Sequence, residues 1–363
     1  MRRPDDFAAF RRPVSRRRLI TIIVGLVAVF TLTGLRSVAV LWTDSLWFNS
    51  VGASSVFRGL LWVKVGLVAV FGLAFFVVLW GNLLLARRFA ARDFTFEPED
   101  EALRQIQSML RPYSFRITAV VSLVLGVIAG LSALPEWNNY ILFSHAQSFG
   151  TLDPLFKKDL GFFVFRLPFL HFIVNWALTS LLVITVITVA YHYLNGGIRA
   201  ARVTPRVSPQ VKVHLSVLLA VVALLKAAGY ILARYSLVTS TNGYIQGAAY
   251  TDVHARMPAL SILFWLSLAA AVILLANTVR RGWSLPALAG ALWAFLALVI
   301  GVIYPSALQT FKVTPSQSTL ELPYIERNIS ATRLGYGLNA VNKVDFAGSE
   351  SITPQEIASS QET

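Results

Sequence analysis

Seven stretches of 18 to 26 residues run through this chain almost without charge, and none of its 18 acidic residues lies inside any of them. They are Leu19 to about Leu41, about Leu60 to Leu85, Ile117–Leu134, Leu170–Leu194, about Leu215 to Ala233, Ala259–Ala276 and about Leu285 to Tyr304. Arg36 interrupts the first, Lys64 the second and Lys226 the fifth, while the third, fourth and sixth carry no charge. About 20 apolar helical residues cross the hydrocarbon core of a bilayer. Each stretch therefore predicts a transmembrane helix. The chain is 56% hydrophobic and 14% charged, against about 45–50% and about 25% for soluble domains. The expected fold is an all-α polytopic membrane protein: seven transmembrane helices, short helices in the outer loops and one cytoplasmic amphipathic helix.

The net charge of +14 suits nucleic acid or a membrane surface, and its placement decides between them. Nineteen Lys and Arg precede the first span or follow spans 2, 4 and 6, and ten lie in the alternate segments. The richer side is cytoplasmic by the positive-inside rule. The expectation is a multi-pass protein of the cell (plasma) membrane, N-terminus cytoplasmic and C-terminus extracytoplasmic. No recognition motif accompanies the charge, so no nucleic-acid partner is expected. The first apolar run is too long for a cleaved signal peptide and lacks an A-x-A site; it reads as an uncleaved span.

The loops carry their own signals. Pro98–Arg111 reads as the cytoplasmic helix, with acidic residues in its first turn and Leu103, Ile106, Met109 and Leu110 on one face. On the outer side Asp153-Pro154 predicts an N-cap and first turn of a helix running to about Leu160 and ending at Gly161. Trp42, Trp47 and Phe48 in the first outer loop, with the aromatics of 162–169, suit an interfacial belt. Pro323 to about Leu334 predicts one more helix, with Ile325 and Ile329 on its apolar face. Four regions follow: a basic cytoplasmic N-terminus (1–18), a membrane domain (19–305), an extracytoplasmic segment with a short helix (306–343) and a polar tail expected to be disordered (344–363).

Few residues carry chemistry. The chain has no cysteine, which excludes thiolate metal sites and cysteine nucleophiles. The spans lack the carboxylates typical of proton-coupled transporters, and no HExxH, P-loop or G-x-S-x-G motif occurs. His171 and His192 sit at opposite ends of one span, and His145 and His254 lie in outer loops. No metal, cofactor or catalytic set is expected. The polar candidates within the membrane are Lys64, near a span end, and Lys226, about 12 Å from its span end at 1.5 Å per residue. Lys226 is expected to face protein or water, with carbonyls, hydroxyls or a loop carboxylate as partners. Gly126-Val127-Ile128-Ala129-Gly130 is a GxxxG that permits close helix approach.

Four outer-loop motifs carry a resemblance. They are Trp42–Phe48 with Val51-Gly52, including Asp44 and Trp47; Asp153–Asp159 with Phe165–Phe169, including Pro154; Tyr250–Arg256 with Pro258, including Asp252; and Pro323–Ile329 with Thr332-Arg333 and Tyr336–Leu338, including Tyr324 and Arg327. In this order they resemble uncharacterised protein family 0182, large bacterial membrane proteins with seven N-terminal spans and a long extracytoplasmic region. The resemblance implies that this chain corresponds to the N-terminal membrane part. It implies no activity, so no functional residue is carried over. The expected function is a non-enzymatic membrane anchor or scaffold presenting an extracytoplasmic region, partnered by lipid and by envelope proteins or a second copy of itself. The alternative is a transporter or lipid-handling protein with a cavity around Lys226.

Overall fold

The computed structural model describes residues 34–89, 111–199, 206–242, 245–280, 282, 284–342 and 353–359. These residues are mainly helical, with two antiparallel pairs of two-residue strands. Six helical stretches among them are long and apolar enough to cross a membrane: Ser54–Arg88, Ser114–Ser144, Phe162–Leu194, Pro209–Thr239, Asp252–Arg280 and Ser284–Leu320. Of the first expected span only residues 34–41 are described, and they are helical. Residues 98–110 of the expected cytoplasmic helix lie outside the described residues.

All six helical stretches overrun at least one predicted end, and five overrun both. The 35 residues of Ser54–Arg88 reach about 52 Å at 1.5 Å per residue, against about 30 Å of hydrocarbon. Hydropathy marks only the apolar middle, and polar residues continue the same backbone beyond it. Glu136 and Asp252, outside the predicted spans, thus fall within the ends of two long helical stretches.

The helices used below are α1 (residues 34–50), α2 (Ser54–Arg88), α3 (Ser114–Leu131), α4 (Trp137–Ser144), α5 (Leu167–Leu194), α6 (Pro209–Ser236), α7 (Met257–Arg280), α8 (Ser284–Leu298) and α9 (Leu322–Gly335). Two compact units divide the chain: Met1–Trp80 with Tyr113–Asn138, and Gly81–Pro112 with Asn139–Thr363.

In the first unit, α1 continues past the predicted end of the first span through residue 50, so Trp42, Asp44, Trp47 and Phe48 stand on a helix and not in a loop. Along α2, Leu67, Phe71, Phe75 and Leu79 are buried at intervals of four, one face of a helix. On α3 the buried residues are Thr118, Ser122, Gly126 and Gly130, small and again four apart. A Cβ on Gly130 would fall on the Val68 carbonyl oxygen and lie 3.0 Å from Gly72 Cα. A Cβ on Gly126 would lie 2.9 Å from Gly72 O and 3.1 Å from Phe76 Cβ. The GxxxG therefore brings α3 onto α2 backbone to backbone.

In the second unit α6 packs chiefly on α5 and α7, and α7 also on α8. Ser208 caps α6, accepting from the Val211 N–H at 3.4 Å, with Pro209 in the first turn; proline is suited there because that N–H has no helical partner. The end of α5 turns through Gly196 at φ +73°, a left-handed conformation glycine adopts without cost. The adjoining strands pair Ile198 with Val207. Both pack on a core of Leu181, Val211, Leu215 and Leu218.

Four π-helical turns occur in this unit: Phe162–Arg166, Asp252–Arg256, Val299–Ile303 and Gln309–Val313. In each, the next residue donates its N–H five residues back, as Leu167 does to Phe162 O and Met257 to Asp252 O. In each, the residue after that is a proline: Pro168, Pro258, Pro305 and Pro315. Proline lacks an N–H, and its ring collides with the carbonyl four residues back in a regular helix. Widening the preceding turn by one residue lets the helix pass the proline unbroken.

Candidate functional site

The second and third motifs each reach the C-terminal end of α6 in the second unit, the second at Tyr235 and the third at Ser240 just beyond it. The helix expected over 153–160 does not form. Asp153 Oδ2 does accept the N–H groups of Leu155 and Phe156, at 2.9 and 2.6 Å, as a cap would. The chain then turns back, with the Asp153 N–H donating to Lys158 O at 2.8 Å and Lys157 at φ +54°. Leu152 bridges antiparallel to Asp159. The four residues after Pro154 are too few to bury an apolar helical face, and the Asp153 side chain satisfies the turn instead.

Asp159 organises the rest of this loop. Its carboxylate accepts from Ser148 Oγ (2.6 Å), Phe149 N (3.1 Å), Gly150 N (2.9 Å) and Gly161 N (2.8 Å). The Ser148 hydroxyl, then these backbone donors, hold its pKa below the ordinary 3.8, because they favour the charged form. A side chain on Gly161 would collide with the Gln147 carbonyl. Phe156 and Phe162 pack edge-on against Tyr235 at the end of α6. Lys158 Nζ lies 5.0 and 5.2 Å from the rings of Phe162 and Tyr235.

The third motif holds the most enclosed polar residues of this end. Asp252 is 1% exposed. Its Oδ1 accepts from Arg256 Nη1 at 2.8 Å, one helical turn on, and its Oδ2 accepts from Ala249 N at 3.0 Å and Ser240 Oγ at 3.5 Å. A charge this buried requires such pairing. The Tyr250 ring stacks on His254 with centroids 4.0 Å apart, and its hydroxyl accepts from Lys312 Nζ at 3.2 Å.

The fourth motif docks on the third. The Tyr250 N–H donates to Glu321 Oε2 at 3.0 Å, the Tyr324 hydroxyl lies 3.5 Å from His254 Nδ1, and Asn328 Nδ2 donates to Gln246 O at 2.7 Å. Tyr324 is the buried residue of α9. Ile329, expected on the covered face, is 45% exposed, so the helix docks through polar and aromatic contacts and not an apolar stripe. Burial raises the pKa of Tyr324. Arg327 lies 5.5 Å from its ring, and Arg333 is exposed.

Between the third motif and the segment 309–321 that leads to the fourth is a cavity of about 250 Å³. Ile245 and Ala249 supply apolar wall; Thr251, Asp252, Arg256, Gln309, Gln317 and Glu321 supply the polar groups. Asp252 and Gln309 each begin a π turn, and Thr251 donates to Gln309 Oε1. Glu321, Gln309 and Gln317 were not among the sequence candidates. A readable signal existed, since Glu321 is the next acidic residue after Asp252.

The lysine candidates lie elsewhere. Lys226 Nζ sits 5.2 Å from the ring of Tyr230, one turn along α6, and Lys64 Nζ 5.3 Å from the ring of Trp137 in the first unit. The expected carbonyl, hydroxyl or carboxylate partner of Lys226 is thus an aromatic face. Asp44 and Trp47 are exposed on α1.

Towards the other end of α5, His192 is fully buried. Its Nε2 lies 3.1 Å from His214 Nδ1, and His214 Nε2 lies 3.0 Å from Asn82 Oδ1. With the amide oxygen as acceptor, each ring carries its proton on Nε2, and His192 Nδ1 has no partner among the described residues. Sequence reading compared His192 with His171, its neighbour on one helix. The actual partner is on the next helix, and His171 instead bonds Ser236 Oγ at 2.7 Å. Among the described residues no three His, Asp or Glu side chains gather as a metal site would require.

Residues 20–363 match the family described as Uncharacterised protein family (UPF0182). A UPF0182 protein of Frankia casuarinae is 39% identical over 348 residues, covering 96% of this chain and 34% of its own length. One from a Nocardioides species is 39% identical over 363 residues, covering 98% and 36%, and one from Streptomyces coelicolor is 33% identical, covering 93% and 34%. This chain thus spans about a third of the length of these relatives. No solved structure matches it. Matched by the family over residues 20–363 and by these relatives over nearly its whole length, the chain belongs to the UPF0182 family of uncharacterised proteins.

Proposed function

We propose that this chain is a non-enzymatic anchor in the cell membrane that holds an extracytoplasmic region in a fixed orientation at its motif-bearing end. The observation that carries this reading is the docking of α9 and its N-cap Glu321 on the third motif and the strand before it, through Glu321–Tyr250, Tyr324–His254 and Asn328–Gln246. A chain leaving the last apolar helix is seated at once on the unit it leaves. That serves a holding role and would obstruct a path for solute at this end. Lys226, the centre of the transport alternative, lies over its own helical neighbour and does not line the cavity. The partners in this reading are the lipid bilayer and envelope proteins or a second copy of the chain.

The reading places the motif-bearing end outside the cell. Single cysteines in this cysteine-free chain test it with an impermeant thiol reagent on intact cells. Position 145 is expected to label and position 195 not, and the reverse overturns the orientation. Cross-linking in native membranes tests the role. Attachment of a defined envelope protein or a second copy through residues 322–342 is expected. Solute movement across vesicles holding the purified chain alone would refute the anchor.

A further inference from the structure

We propose that the cavity between the third motif and the segment 309–321 binds a small zwitterion of α-amino-acid size, its ammonium held by Glu321 and its carboxylate by Arg256. Glu321 is 3% exposed. One of its oxygens accepts the Tyr250 N–H; the other accepts no hydrogen bond and meets no cation among the described residues, where Arg256–Asp252 is the ion pair. A buried carboxylate in that condition is costly unless a cation reaches it. Arg256 lines the same cavity with its side chain 48% exposed, which places it towards the opening while Glu321 and Asp252 lie deep. One of its five N–H donors is used, on Asp252. The rest of the fork is free to grip a carboxylate in bidentate fashion. Gln309 and Gln317 add amides on the same wall.

The alternatives fit less well. A metal ion would need several oxygen ligands, but Asp252 is already paired with Arg256 and accepts from Ala249 N, and the guanidinium opposes a bare cation. An inorganic anion would meet the buried Glu321. The cavity of about 250 Å³ greatly exceeds the roughly 10–15 Å³ that one water needs, and falls just short of the about 300–1,000 Å³ of drug-sized ligand sites. A ligand of few heavy atoms with opposite charges at its ends matches both size and lining. The site is independent of the anchor reading, which it neither needs nor supplies.

The test is calorimetric titration of the purified full chain in detergent with glycine, alanine, serine and glutamate, and with methylamine and acetate as half-ligands. At least one amino acid is expected to bind saturably and more tightly than either half-ligand. Glu321→Gln keeps an acceptor for the Tyr250 N–H and removes the charge. Arg256→Lys keeps a cation beside Asp252 and removes the fork. Each is expected to weaken that binding about 10- to 100-fold, the effect of losing one charge-assisted hydrogen bond. Circular dichroism and thermal unfolding establish that both variants fold. Absence of saturable binding by all four amino acids, or binding that survives both substitutions in folded protein, overturns the proposal.

Discussion

Replacing Gly130 by alanine puts a methyl group into the closest helix contact of the first unit. That carbon would overlap the Val68 carbonyl oxygen and stand 3.0 Å from both Cα and N of Gly72, whereas carbon–carbon contacts settle at about 3.5–4.0 Å. The obstructing atoms are helix backbone, which cannot swing aside as the end of a flexible side chain would. Relief requires α2 and α3 to separate, and overpacking of this kind costs about 1–3 kcal/mol. Opposing it is helix propensity, which favours alanine over glycine by about 1 kcal/mol. The steric cost prevails because it is felt along the whole contact, and a net loss of about 1 kcal/mol is expected. Gly66, on α2, has nothing within 4 Å of its would-be Cβ, so Gly66→Ala retains only the propensity gain. Reversible unfolding in graded detergent mixtures, followed by tryptophan fluorescence, compares the two. Gly130→Ala should lower the midpoint and Gly66→Ala should leave it or raise it. Equal shifts would show that the backbone approach is not real.

Three further outcomes follow from the site. Asp159→Asn at neutral pH should speed hydrogen exchange at the Phe149, Gly150 and Gly161 amides. Because the folded pKa of Asp159 is depressed, its stabilisation is present above the ordinary 3.8 and lost as pH falls through the folded value, so wild-type loop exchange should rise only in that acid window; an unchanged loop in both experiments refutes the assignment. Tyr324→Ala, which removes the buried anchor of α9, should expose Arg327 and Arg333 to trypsin, while Tyr324→Phe should leave both protected; early cleavage of the wild type there would mean that α9 is not docked. Lys226→Met should insert and fold normally, with a loss within about 0.5–2 kcal/mol for the contact with Tyr230, and failure to insert would contradict the aromatic seating.

The positions of the six long apolar helices were legible in the sequence because uninterrupted apolar length of the kind a bilayer demands leaves no other backbone solution there than internal hydrogen bonding. Leu170–Leu194 and Ala259–Ala276 were recognised to within a few residues of the helices at Leu167–Leu194 and Met257–Arg280. The close approach at Gly126 and Gly130 was also legible, since only missing side chains allow it. The prolines that follow each π turn were visible, but their consequence depends on the helix continuing past them, which no local rule requires. The helical state of Trp42–Phe48 and the tight turn after Pro154 went the other way from expectation, because short polar segments have comparable local energies as helix or turn and their neighbours choose. The cavity was beyond reach of the sequence. Tyr250 and Glu321 are 71 residues apart, and His192 and His214 sit on different helices. The histidine pair exists only once α5 and α6 have packed, and it is the seating of residues 309–321 against the third motif that leaves the Glu321 carboxylate buried without a counter-charge among the described residues.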